Sequence, residues 1–203
     1  YHDDGVHSRT YADLDHKESP GQDPDPDDYR DNYLKKTNSS QDDWSDLFKL
    51  IDKLNDADIS EAEFLAEISG VLNIEMWARY LATDALVGNR EGGLTSGRGD
   101  DYAMYRGVED PRFRLVPHDL DTVLGQGDHD YRPQLDIFVY AGVDGLKRLL
   151  EHPDFIKLYY AQYKDLVESV FDPANAFPLI DRYLADWVPE SEIEGPRGIK
   201  QFI

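Results

Sequence analysis

Cysteine is absent from the chain, which excludes disulfides, thiolate chemistry and cysteine-ligated zinc. Basic residues are scarce: 21 Lys and Arg stand against 42 Asp and Glu, a formal net charge of −21. Such a surface repels nucleic acid and anionic membrane, so neither is expected as a partner. It attracts cations, divalent metals included, although solubility or a salty habitat also accounts for the acidity. No segment is apolar enough to span a bilayer and no signal peptide is visible, so membrane insertion is not expected. The glycines of the 92–99 stretch are not followed by Gly-Lys-Ser/Thr, which rules out a P-loop. Internal repeats are missing too.

What remains is enough for a folded domain. With 203 residues, 40% of them hydrophobic, one domain with its own core is expected. The chain opens on Tyr1 without methionine and closes on Phe202 and Ile203, as an excerpt of a longer protein would. Residues 1–32 are polar and acidic, and Pro20, Pro24 and Pro26 interrupt them. They read as an acidic loop or linker without helix. Residues 23–28 (DPDPDD) imitate the start of a calcium loop, but its later Gly and closing Glu are missing, so a solvated loop is the plainer reading.

Beyond residue 32 the periodicity is helical. Trp44, Leu47, Phe48, Ile51 and Leu54 form one apolar stripe after a Ser39-Ser40 cap. Ser60 and Glu63 make a capping box that opens a second helix with Phe64, Leu65 and Ile68. A third starts near Asn73, with Ile74, Trp77, Leu81, Asp84 and Gly88 on roughly one face. Asp84 is unusual there, because an unpaired buried carboxylate is costly. Hydrogen bonding within the fold is its ordinary explanation, ahead of a catalytic role. Residues 145–170 and 176–187 continue the helical pattern, and 125–143 is irregular.

Between these helices lies the stretch that organises the chain, residues 81–125. A helix-like run breaks at Gly88-Asn89 into a polar, glycine-rich loop. Two β-type runs, 102–105 and 113–116, flank a turn at 109–111 and read as a hairpin. Pro117, His118, Asp119, Leu120 and Asp121 follow. Helix, acidic loop, hairpin and acidic turn is the order in which a protein-kinase C-lobe presents its catalytic loop and metal-binding Asp. The usual His-Arg-Asp and Asp-Phe-Gly words are absent. The fold class expected is mainly α with a small β-hairpin, an atypical protein-kinase-like C-lobe.

Several pieces together resemble the CotH kinase family. Residues 33–38 (YLKKTN) are similar to its Tyr-x-x-Lys-Thr segment. Residues 88–91 (GNRE) match Gly-Asn-x-Asp with Glu for Asp, and residues 101–105 (DYAMY) match Asn-Tyr-x-Leu-Tyr. Residues 117–125 (PHDLDTVLG) match Pro-Trp-Asp-x-Asp-x-x-x-Gly, and 149–155 (LLEHPDF) also has the family's character. The resemblance covers most of residues 29–203 and places the C-lobe at 33–203.

That resemblance implies a secreted or surface-associated atypical protein kinase, one that uses ATP and Mg or Mn to phosphorylate protein side chains. It implies that Glu91 orients or deprotonates the acceptor hydroxyl, that Asp119 binds metal, and that Asp101 and Asp121 are further metal ligands. Carboxylate oxygens suit such ions. The departures are specific. Glu91 is a methylene longer than Asp, and misplacing a base by about an ångström costs roughly 100-fold in rate. The spacing from Glu91 to Asp101 is longer than the family pattern, and His118 replaces Trp. The family's nucleotide-gripping half, with its basic elements, is expected before Tyr1, so this excerpt alone would not bind ATP as the whole fold does. Three other readings stand beside the kinase. One is a catalytically degenerate surface interaction or scaffold domain. Another is a metal-dependent hydrolase built on His118, Asp119 and Asp121 with Asp128, His129 and Asp130. The last is a plain calcium-binding module. The sequence sets no oligomeric state.

Overall fold

A computed structural model describes residues 12–90, 92, 94, 102–127 and 135–203. Its described elements are α1 (Pro26–Arg30), α2 (Ser45–Asn55), α3 (Glu61–Ser69), α4 (Ile74–Leu86), β1 (Tyr102–Tyr105) and β2 (Arg114–Pro117). After a 3-10 turn (Val139–Gly142) come α5 (Asp144–Glu151), α6 (Pro153–Glu168), α7 (Pro173–Leu184), α8 (Glu190–Ile193) and α9 (Ile199–Phe202). The expectation of a mainly α fold with one small hairpin is met: β1 and β2 pair antiparallel, with Tyr102 opposite Pro117 and Met104 opposite Leu115.

α4 is the central helix. Asn73 caps it, its side chain accepting from Met76 N at 3.1 Å. Trp77, Ala78, Leu81 and Ala82 are fully buried on its inner face. The hairpin is fastened to its start through Phe113. Phe113 N donates to Val71 O (2.7 Å), and Phe113 O accepts from Asn73 N (2.9 Å) and from Trp77 Nε1 (2.9 Å). One backbone position thus fixes where β2 leaves the helical layer. Alternation does the rest: Tyr102, Met104, Phe113 and Leu115 point into the core, while Tyr105 and Val116 face outward.

α6 packs along α4, and Arg79 of α4 reaches Asp165 (2.8 Å) and Gln162 (2.9 Å) across that contact. α5 is locked to α2 and α3 by Arg148, which lies 4.1 Å over the Phe64 ring and bonds Glu61 Oε1 (2.8 Å) and Asp56 O (2.6 Å).

The structure differs from expectation in three places. Residues 12–32 are integrated into the fold. Ala12, Leu14 and Tyr29 are buried, Tyr102 Oη donates to Ala12 O (2.6 Å), and Leu14 N donates to Tyr33 Oη (2.9 Å). Pro26 starts a helix instead of preventing one, because a first-turn proline lacks only an N–H that needs no helical partner; Asp25 caps it. α2 starts at Ser45, five residues beyond the Ser39-Ser40 pair, with Asp43 Oδ1 accepting Ser45 N (3.0 Å). The helical run at 145–170 is two helices, because Pro153 cannot continue α5 and opens α6 with His152 as its cap.

Phe113→Ala removes the buried ring at this fastening point. Large-to-small core changes of this kind cost about 3–5 kcal/mol, and chemical denaturation of the variant reads that loss. A change under about 1 kcal/mol would show that the hairpin is not a part of the core.

Candidate functional site

The C-terminal end of α4 is where the polar chemistry collects. Asp84 lies one turn from that end and is 5% exposed. Its Oδ1 accepts from Asn89 Nδ2 at 2.8 Å, and its Oδ2 accepts from Tyr140 Oη at 2.9 Å. Burial pushes its carboxyl up to about 6, and the two hydrogen bonds, which favour the charged form, oppose that rise. Asn89 passes the constraint on. Its backbone N donates to Asp84 O (3.1 Å), and its Oδ1 accepts from Gly92 N (2.9 Å). A Cβ on Gly92 would sit 2.8 Å from Asn89 Nδ2, so only glycine lets the two residues close. Gly88, at φ +68°, supplies the left-handed turn that releases the chain from the helix.

The acidic turn is tied to the same place. Leu124 N donates to Val87 O at 2.6 Å, which joins the stretch after β2 to the residue that caps α4. Asp119 and Asp121 are both exposed on this turn, and His118 is half-buried. Asp119 has φ +48°, a left-handed conformation that Asp tolerates better than most residues. Leu120, between the two carboxylates, lines a cavity of about 270 Å³ together with Met76, Tyr80, Asp84, Val87 and Leu115. Asp84 therefore sits at the wall between this mostly apolar cavity and the 89–92 turn. The tail supports the arrangement from beneath: the Phe202 ring packs on Gly88, and Gln126 Nε2 donates to Arg197 O (3.2 Å).

Of the residues expected to form the site, Asp119 and Asp121 occupy one exposed turn anchored to α4. Glu91 and Asp101 lie outside the described residues, as do Asp128, His129 and Asp130. Exposed carboxylate oxygens are hard donors, of the kind that Mg²⁺ or Mn²⁺ takes. Among the described residues, the group whose ligand atoms all come within 4.8 Å of one another is His16, Glu18 and Asp52, not the 118–121 stretch and not the acidic run at 23–28. In that run Asp25 caps α1 and Asp27 pairs with Arg30 at 2.8 Å. Glu18 is already engaged by Tyr29 Oη (2.5 Å) and by His16 Nδ1 (2.8 Å). Sequence reasoning named Asp84 as odd but gave it no partner. Asn89 was legible only as a loop residue, and Tyr140 carried no signal.

Asp84 makes a prediction about stability. Its folded pKa, about 6, lies above the ordinary value of 3.8. Its contribution to folding is therefore fully present below pH 4 and is lost as pH rises through 6, a loss of about 3 kcal/mol by pH 7. Asp84→Asn cannot ionise. Urea denaturation between pH 4 and pH 7 is expected to show the variant gaining on the wild type as pH rises, by up to about that amount. Parallel pH profiles for the two proteins would mean that Asp84 is not a destabilised carboxylate.

Inner spore coat protein H of Bacillus subtilis (strain 168) is 29% identical over 140 residues, 68% of this chain and 36% of that protein. The chain thus spans about a third of the length of the curated relative it matches. The family model described as CotH kinase protein matches residues 3–194, which includes the Asp84 helix, the hairpin and the Asp119 turn. The chain belongs to the CotH kinase protein family.

Proposed function

We propose that this chain is the metal- and acceptor-side lobe of an atypical protein kinase, one that moves the γ-phosphate of ATP to protein side chains with a divalent metal. The observation that carries the reading is the shared anchor. The end of α4 holds both the turn that flanks Glu91 in sequence and the turn that bears Asp119 and Asp121. A kinase needs those two loops in fixed relation, because phosphoryl transfer depends on positioning and on cancelling charge more than on covalent help from the protein.

In this reading Asp119 and Asp121, with Asp101, offer carboxylate oxygens to Mg or Mn. The metal, when bound, neutralises phosphate charge. Glu91 accepts the proton of the acceptor hydroxyl. Residues 33–203 form the lobe, and the basic, nucleotide-gripping lobe belongs to another part of the full-length protein. The relative's name places that protein in a spore coat, and a secreted or surface-associated setting is proposed here by likeness. Among the described residues no helix is long and apolar enough to cross a membrane.

A second reading, a degenerate scaffold domain, is favoured by one feature, the Glu at position 91 where the family pattern has Asp. The two readings separate in a phosphotransfer assay of the full-length protein on itself or a generic acceptor. Asp119→Ala is expected to abolish transfer. Glu91→Asp is expected to raise it, by up to roughly 100-fold if the extra methylene displaces the base by an ångström. Activity indifferent to both changes would remove these residues from the mechanism, and no transfer from any variant would leave the scaffold reading. Calorimetric titration of Mn²⁺ into Asp119→Asn is expected to show weakened binding; unchanged binding would count against the metal role.

A further inference from the structure

The stretch from Ala12 to Glu18 is fastened to α2 in a fixed register. Leu14 is fully buried at φ +61°, and its O accepts from Asn55 Nδ2 at 2.7 Å. Asn55 ends α2, and Asp52 precedes it by just under one helical turn. The residues after Leu14 curl on their own carboxylates: Asp13 Oδ1 accepts from Asp15 N (3.2 Å), and Asp15 Oδ1 accepts from His16 N (2.8 Å). Three side chains of ligand type are brought together as a result. His16 Nδ1 lies 2.8 Å from Glu18 Oε1 and 3.8 Å from Asp52 Oδ1, and the three ligand atoms fall within 4.8 Å of one another. Glu18 divides its oxygens. Its Oε2 accepts from Tyr29 Oη (2.5 Å) and from Lys17 N (3.2 Å), while Oε1 faces His16.

We propose that His16, Glu18 and Asp52 bind one divalent transition-metal ion of the Zn²⁺ type, which clips the 12–18 stretch to α2. At ordinary Zn–N and Zn–O lengths, two ligand atoms on a tetrahedral ion stand about 3.4 Å apart. The two separations at His16 Nδ1, 2.8 and 3.8 Å, lie on either side of that value, and small side-chain rotations close the difference. One imidazole nitrogen with two carboxylate oxygens suits Zn²⁺ better than Mg²⁺ or Ca²⁺, which take sets of oxygens. Tyr29 orients the Glu18 carboxylate from behind, as the outer partners of metal ligands do. Two nearby ammonium groups are engaged with other carboxylates: Lys17 with Asp13 (2.5 Å) and Lys53 with Glu67 (2.8 Å). His16 and Asp52 also line a cleft of about 550 Å³, together with Lys49 and Asp56. Their side chains are 36% and 57% exposed, so an ion has a path in and water has room to complete its coordination. A protonated His16 would hold the same two carboxylates with no metal, and titration with Zn²⁺ separates the two cases. The site shares no residue with the Asp119 turn and is independent of the phosphotransfer reading.

The test is competition for Zn²⁺ between a chromophoric chelator and the full-length protein, stripped of metal beforehand. Asp119→Asn serves as the background, so that the Asp119 turn does not contribute. That background is expected to keep one Zn²⁺ site. Adding His16→Ala or Asp52→Asn, both at exposed positions, should weaken it by more than roughly 100-fold, because each removes a ligand where loss of an outer partner alone costs about 10- to 100-fold. Adding Tyr29→Phe, which keeps the ring and removes only the hydroxyl behind Glu18, should weaken it roughly 10-fold. Millimolar Mg²⁺ should leave the Zn²⁺ in place. Hydrogen exchange should show Zn²⁺ protecting the amides of residues 14–18 in the background and not in its His16→Ala combination. Affinity for Zn²⁺ unchanged by His16→Ala and Asp52→Asn would overturn the metal site and leave a charge bridge only. Displacement of the Zn²⁺ by Mg²⁺ would overturn it too, since it would mean a site made of oxygens without the imidazole.

Discussion

The hydrogen bonds of Asp84 are the constraint around which the site is arranged. A carboxylate at 5% exposure loses most of its hydration, and the fold returns only two hydrogen bonds to it, from Asn89 and Tyr140. Neither partner is a charge. The group is left poised between its two protonation states, which an arginine beside it would have prevented. Asp110, at the hairpin turn, shows the contrast: Arg112 and Arg114 hold its carboxyl well below the usual range. The same residue type is fixed as an anion at the periphery and left responsive at the centre.

Three elements depend on that centre. The 89–92 turn is closed by Asn89, the 3-10 turn after residue 138 is brought in by Tyr140, and the stretch after β2 is joined one step further along α4, at Val87. Phe113 secures the other end of α4 by bonding Val71 O, Asn73 N and Trp77 Nε1. The helix is thus a beam fixed at its start to the hairpin and at its end to the loops that bear acidic residues. Membership of the CotH kinase protein family gives this beam a context.

What the sequence made legible was local. The Asn73 cap, the break at Gly88 and the hairpin strands all follow from residues within a few positions of one another, and they stand where pattern and capping chemistry put them, β2 a single residue later. The misreadings came from partners far along the chain. Residues 12–32 look like a linker by composition, but Leu14 bonds Tyr33 and Asn55, 19 and 41 residues away, and Ala12 bonds Tyr102, 90 away. Asp84 could be flagged as misplaced on an apolar face, yet Tyr140 lies 56 residues on in an irregular stretch with no pattern to announce it. Proline misled near the start of the chain: Pro26 opens a helix, where composition alone reads it as an interruption.

At neutral pH Asp84 is expected to be ionised while buried and bonded to Asn89. Carboxyl ¹³C NMR titration measures this directly, with the Asp84 resonance identified by its loss in Asp84→Asn. The expected midpoint is near pH 6, with the Gly92 amide proton shifting at the same midpoint through Asn89. An Asp84 carboxyl that titrates near its ordinary 3.8, or a Gly92 amide that does not follow it, would show that burial at the end of α4 does not control this carboxyl or reach the Gly92 amide.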